Sequence, residues 1–143
     1  MSDILKGIPD KRQDKNTTSL KFKQDMIEFL GDDYKDKTCL EIGSHRGYTT
    51  RILSFLFKEV ISCENNDELR SFSQNLNNDR DNIEYNDMDV YNTPWNFSNI
   101  DVVFIDCNHE YNHVMSDIGN ATELATDGQE LLIIFDDYGL DNP

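Results

Sequence analysis

Basic residues are scarce in this sequence: 13 Lys and Arg stand against 28 Asp and Glu, a formal charge of −15. No local basic cluster offsets that field. It repels phosphate backbones, so a nucleic-acid partner is disfavoured, whereas a cationic ligand or a divalent metal is tolerated. Long apolar runs are also missing. No stretch approaches a membrane span or a signal-peptide core, so no membrane partner is expected and a cytoplasmic location is. Cysteine is limited to Cys39, Cys63 and Cys107, an odd count set in apolar runs. That pattern points to buried free thiols in a reducing compartment, not to a disulfide framework. Neither an internal repeat nor a low-complexity linker divides the 143 residues, which suit one domain.

What is present is a rhythm. Residues 1–16 are polar and unpatterned and are expected to form a flexible arm, disordered or folded over a ligand. Residues 17–143 carry the domain. From Thr18, Leu20, Phe22, Met26, Ile27, Phe29 and Leu30 fall largely on one helical stripe, and Gly31 suits its end. Short apolar runs at 37–43, 59–65, 82–90, 99–107 and 129–137 then read as strands. Helical patterns at 48–57, 67–79 and 113–125 lie between them. The runs Val102–Ile105 and Leu131–Phe135 hardly alternate, as expected for strands covered on both faces. Alternating strands and helices predict an α/β fold, a parallel sheet with right-handed crossovers.

Acids gather at the predicted strand ends: Glu41, Glu64, Asp87 with Asp89, Asp106, and Asp136 with Asp137. One such acid is ordinarily a helix cap or a solvated turn residue. Five strands ending this way predict a site, because ligands of open parallel sheets bind beyond the carboxyl ends of the strands. In "LEIGSHRGYTT", Gly43 and Gly47 allow a tight turn and a close backbone approach ahead of a helix N-terminus. His45 and Tyr48 depart from the G-x-G-x-x-G of dinucleotide sites. Glu64 follows the glycines by about 20 residues, the distance at which an acid reaches both ribose hydroxyls. An adenosine-containing cofactor is indicated; an ordinary strand–helix turn beside a surface Glu is the alternative.

The stretch "HEYNH" carries the letters of a zinc-protease motif in His109, Glu110 and His113, which requires both histidines on one helical face. His109 instead follows a buried strand by a few residues, in the loop before the helix. A metzincin would need Gly at 116 and His at 119, where Ser116 and Gly119 stand. Zinc hydrolysis is therefore disfavoured, and His113 is expected to be an exposed first-turn residue.

Taken in order, "LEIGSHRGYTT", "VISCENNDEL", "IEYNDMDV", "VVFIDCNHEY" and "LLIIFDDYG" resemble the motifs of class I S-adenosylmethionine-dependent methyltransferases. The chain looks most like the small-molecule O-methyltransferases of the catechol type and their bacterial relatives, over roughly residues 18–140. The resemblance implies a Rossmann-like three-layer sandwich. It implies that Gly43, Ser44 and Gly47 line the methionine part of S-adenosyl-L-methionine, with Thr49 offering a hydroxyl to its carboxylate. Glu41 would support that loop, Glu64 would take the ribose hydroxyls, and Met88 and Asp89 would meet the adenine, with Asp87 as a register alternative. Asp106 would close the cofactor site and join Asp136 and Asp137 around Mg²⁺ or another hard divalent cation. His109 would act as the base that deprotonates a small hydroxylated acceptor. Arg46 either binds substrate or faces solvent.

The family sheet has seven strands in the order 3-2-1-4-5-7-6, whereas this sequence stops after strand five. The expectation is a 3-2-1-4-5 sheet lacking strands 6 and 7, either a trimmed form whose bare strand-five edge a homo-oligomer covers or a fragment. A catalytically silent module that still binds the cofactor is the alternative to an enzyme.

Overall fold

The structure, a computed structural model, describes residues 3–10, 18–106, 111–125 and 128–136. Its elements are α1 (Leu20–Leu30), β1 (Thr38–Ile42), α2 (Tyr48–Leu56), β2 (Glu59–Cys63), α3 (Asp67–Leu76), β3 (Ile83–Asn86), β4 (Val102–Ile105), α4 (Tyr111–Glu123) and β5 (Leu132–Phe135). All five strands are parallel, in the order β3-β2-β1-β4-β5. The predicted α/β class and strand order are both found. The strands are shorter than their apolar runs at the carboxyl ends, where the chain turns to the site, and β4 and β5 also begin three residues into theirs.

Side-chain alternation splits the core in two. Cys39, Val60, Val102 and Phe104 face Met26, Ile27 and Leu30 of α1 and Ile52, Leu53 and Leu56 of α2. Leu40, Ile42, Cys63, Val103 and Ile105 face the other way, against Ala121 of α4 and against Val90, Trp95 and Ile100. The connection from β3 to β4 thus does the work of a helix, with the Trp95 indole N–H donating to the Val90 carbonyl at 2.9 Å. Every residue of β4 is buried, while β5, at the sheet edge, is half-buried along its length. Burial on both faces therefore holds for the inner strand and only in part for the outer one.

Ser19 caps α1 by accepting the Phe22 N–H, and Gly31 ends it at φ 52°. Phe29 departs from the predicted stripe and is 67% exposed. Two residues beyond Ile27 the helix has turned through slightly more than a half-circle, which leaves Phe29 on the rim of an apolar cleft with Phe22, Met26 and Ile134. The described part of the N-terminal segment is packed: Ile8 is buried, and Ile4 and Leu5 rest on the same core. Lys23, fully buried, holds it there by donating to the carbonyls of Pro9 and Thr18. Cys39 and Cys63 are buried free thiols; Cys107 lies outside the described residues.

Candidate functional site

β1 carries the chain into the glycine turn. Gly43 (φ 84°), His45 (φ 50°) and Gly47 (φ 85°) all take left-handed backbone, two of them at glycines. Among ordinary residues histidine is one of those enriched in that region. The Gly43 and Ser44 N–H groups donate to the Cys63 carbonyl at 3.0 and 3.3 Å, and Gly47 N–H donates to Ser44 O at 2.9 Å. The turn is thereby sewn to the end of β2. Gly47 forms the N-cap of α2 without any side-chain cap, so the first N–H groups of that helix are not spent on a cap oxygen.

Glu64 ends β2, and its carboxylate accepts from two backbones, His45 N–H at 2.9 Å and Asn66 N–H at 3.1 Å. Beyond it opens a cavity of about 320 Å³ lined by Gly43, His45, Cys63, Glu64, Asn65, Met88, Asp89, Val90 and Tyr91. That volume lies at the small end of ordinary ligand sites. A narrow cleft lined by Gly43, Ser44, His45, Arg46, Tyr48, Thr49 and Asp106 adjoins it through Gly43 and His45. The structure thus brings together Gly43, Ser44, Thr49, Glu64, Met88, Asp89 and Asp106. Ser44, which lines that cleft, has a buried hydroxyl with no partner among the described residues. Asp89 accepts from Tyr91 N–H and the Asn92 side-chain amide, which hold its carboxyl below the usual range. Asp87 points elsewhere, to Arg70 at 3.4 Å. Arg46 lies over the Phe72 ring at 5.8 Å from its centroid.

Glu41 is not in the lining. It is fully buried under α2, where one carboxylate oxygen accepts from Thr50 and Ser62 hydroxyls at 2.5 and 2.9 Å and the other has no partner among the described residues. Burial pushes its pKa up to about 7, against the pull of those two hydrogen bonds. Through those two hydroxyls it ties α2 to β2. Sequence reasoning missed Asn65, Val90 and Tyr91. Each adjoins a residue already singled out, so following the chain one or two residues past Glu64 and Asp89 would have found them. Cys63 also lines the cavity, and burial pushes its thiol up to about 12, which favours the protonated form over a thiolate.

Asp106 and Asp136 follow the paired residues Ile105 and Phe135. The Asp106 N–H donates to Ile42 O at 2.9 Å and the Asp136 N–H to Ile105 O at 3.1 Å, so neighbouring strand ends deliver the two acids. Asp137 and His109 lie outside the described residues. Among the described residues no group of three His, Cys, Asp or Glu is placed to hold a metal ion. His113 corrects the expectation of an exposed residue: it is half-buried, its ring stacked on Tyr91 with centroids 4.3 Å apart. The first turn of α4 faces the loop after β3, and the ring covers the back of that tyrosine. One turn on, Asp117 is fully buried, and burial raises its carboxyl to about 6 against the opposing pull of His113.

A model of the family described as a methyltransferase domain matches residues 40–138, well over half of the chain. No curated protein matches. Among solved structures, a phosphoethanolamine N-methyltransferase of Haemonchus contortus, in complex with phosphoethanolamine and S-adenosylhomocysteine, is 18% identical at a TM-score of 0.69, over 92% of this chain and 30% of its own. The 23S rRNA methyltransferase ErmE is 19% identical at 0.63, over 76% of this chain and 43% of its own. The tRNA (m1A58) methyltransferase TrmI from Aquifex aeolicus is 20% identical at 0.63, over 82% and 47%. These likenesses show the fold, and this chain spans less than half the length of each of the three. Among the described residues no helix is long and apolar enough to cross a membrane.

Proposed function

The chain belongs to the methyltransferase-domain family, and on that premise we propose that it binds S-adenosyl-L-methionine and transfers its methyl group to a small hydroxylated acceptor. The observation that carries the reading is the joined cavity and cleft at the carboxyl ends of β1, β2 and β4, with Glu64 at one part and Ser44, whose hydroxyl has no partner among the described residues, at the other. The donor set fits the cofactor. A carboxylate oxygen keeps a second lone pair after accepting one N–H, so Glu64 can receive ribose hydroxyls while holding the turn. Met88 and Val90 offer an apolar wall to a base, and Ser44, Thr49 and the first N–H groups of α2 suit a carboxylate.

The bound cofactor supplies an activated methyl on a sulfonium. An acceptor oxygen would attack that carbon, the carbon–sulfur bond would break with its electron pair returning to sulfur, and the acceptor's proton would leave to a base. Alignment is the chief requirement. Asp106, which lines the cleft, would orient the acceptor. The resemblance assigns the base to His109, and a divalent cation to Asp106, Asp136 and Asp137. Asp106 and Asp136 are at adjacent strand ends, which suits a hard cation that would favour the ionised acceptor.

The charge of −15 favours a small acceptor. It does not exclude nucleic acid by fold, contrary to the expectation from charge alone, since neighbours named for rRNA and tRNA methylation share this architecture. Titration calorimetry with S-adenosylmethionine and S-adenosylhomocysteine tests the reading: one site per chain is expected, and absence of binding by both ligands would end it.

A further inference from the structure

Behind the glycine turn, α3 presses two polar side chains onto Gly47. Asn77, at the C-terminal cap of α3 and 1% exposed, donates its side-chain amide to the Gly47 carbonyl at 3.0 Å. One turn earlier, Ser73 is fully buried, and a β-carbon on Gly47 would meet its hydroxyl oxygen at 2.1 Å. The same carbonyl accepts the Arg51 N–H at 3.0 Å, the first hydrogen bond of α2. Two donors therefore converge on the one peptide that joins the turn to the helix. Tyr85 of β3 closes this seam, its hydroxyl reaching the Ser73 carbonyl at 3.4 Å. Neither Ser73 nor Asn77 lines the cavity or the cleft.

α2 lacks the usual device for fixing a helix start. Its N-cap is a left-handed glycine with no side chain to spend on the helix N–H groups. A capping oxygen of the Ser or Asp kind would fix a helix start but would occupy donors that an anionic ligand needs, and at Gly47 any side chain would be strained and would meet Ser73. Holding the N-cap from its carbonyl side achieves the first without the second.

We propose that Asn77 is a positioning residue for the cofactor turn: by fixing the Gly47 carbonyl from α3 it sets the direction of the first turn of α2 toward the cofactor carboxylate. The inference rests on the cofactor reading above. A residue that only stabilised the fold would act as Asn82 does at the other end of the same helix, where its amide donates to the Ser54 and Phe57 carbonyls at 2.8 and 3.2 Å. Asn82 is therefore the matched control.

Calorimetric titration with S-adenosylhomocysteine is compared for wild type, Asn77→Leu and Asn82→Leu, at a temperature where circular dichroism shows all three folded. Losing one buried hydrogen bond that orients a binding peptide corresponds to about tenfold in Kd. The expected result is a Kd weakened about tenfold in Asn77→Leu and within about twofold of wild type in Asn82→Leu, although both unfold at lower urea. Asn77→Ser, which removes the amide without crowding the seam, repeats the comparison if the leucine variant does not fold. Wild-type-like binding by the folded Asn77 variant, or equal weakening by Asn82→Leu, overturns the proposal alone. Failure of the wild type to bind removes the cofactor reading, and this inference with it.

Discussion

The Glu64 carboxylate accepts the His45 backbone N–H at 2.9 Å across 19 residues of chain. Its second oxygen accepts from Asn66, the N-cap of α3. One acid at the end of β2 thus clamps the turn after β1 and the start of the next helix, while one face of it lines the cavity. Glu64→Ala removes both the clamp and the proposed acceptor for ribose hydroxyls, and His45 loses the bond from its backbone N–H. S-adenosylhomocysteine affinity is expected to fall by at least about tenfold, the value of one or two charged hydrogen bonds. Glu64→Gln keeps one acceptor oxygen and should fall between. Calorimetry that returns the same Kd for Glu64→Ala and wild type would remove Glu64 from the site.

Gly47 is fixed by contact as well as by φ. At φ 85° any side chain is strained, and an added β-carbon would lie 2.6 Å from the Ser73 β-carbon as well as 2.1 Å from its hydroxyl. Gly47→Ala is expected to destabilise the fold by about 2 kcal/mol or more, combining left-handed strain with overpacking. Adding Ser73→Ala removes the hydroxyl but leaves the carbon contact, so the double variant should recover only part of the loss. Urea midpoints measure both; full recovery would show that the backbone strain is negligible.

The sheet was legible because its signals are local. Apolar runs such as Val102–Ile105 and the glycines at 43 and 47 mark strand and turn without knowledge of their neighbours. The cavity side of the site followed from acids at strand ends. Residues whose role depends on a distant partner were not legible. Nothing near Asn77 in sequence says that it meets Gly47 across 30 residues, and Glu41 looks like any other strand-end acid until the burial beneath α2 is seen. His113 was misplaced for a similar reason: its burial comes from Tyr91, on the loop after β3. Phe29 failed on angle, since its place on α1 lies off the stripe that Met26 and Ile27 define.

Asp136 gives the proposed cation its cleanest test. It is buried at the end of β5 and lines neither the cavity nor the cleft. Asp136→Asn should therefore leave S-adenosylhomocysteine affinity within about twofold while abolishing any rise in the urea midpoint caused by Mg²⁺, because only a folded-state site gains stability from a ligand. If millimolar Mg²⁺ stabilises neither wild type nor its cofactor complex, metal assistance is to be dropped and Asp136 reads as a strand-end acid.

Glu41 makes stability depend on pH in a direction opposite to that of a salt-bridged carboxylate. Burial raises its folded pKa from 4.5 to about 7, the hydrogen bonds from Thr50 and Ser62 opposing only part of that rise. Between those two values the folded protein holds a proton that the unfolded chain has released, so stability falls as pH increases. The contribution is whole below pH 4.5 and is lost as pH climbs through about 7. The full difference amounts to about 3 kcal/mol. Asp117, raised to about 6, slopes the same way, so the wild-type curve alone does not isolate Glu41. Glu41→Gln does. Its amide oxygen can still accept from Thr50 and Ser62, and its uncharged NH₂ stands where the neutral acid keeps its proton. Urea unfolding from pH 4.5 to 7.5 should show the variant gaining on wild type throughout the interval and levelling off above it. Parallel curves would mean that Glu41 ionises at an ordinary pH, and that the orphaned oxygen beneath α2 is solvated.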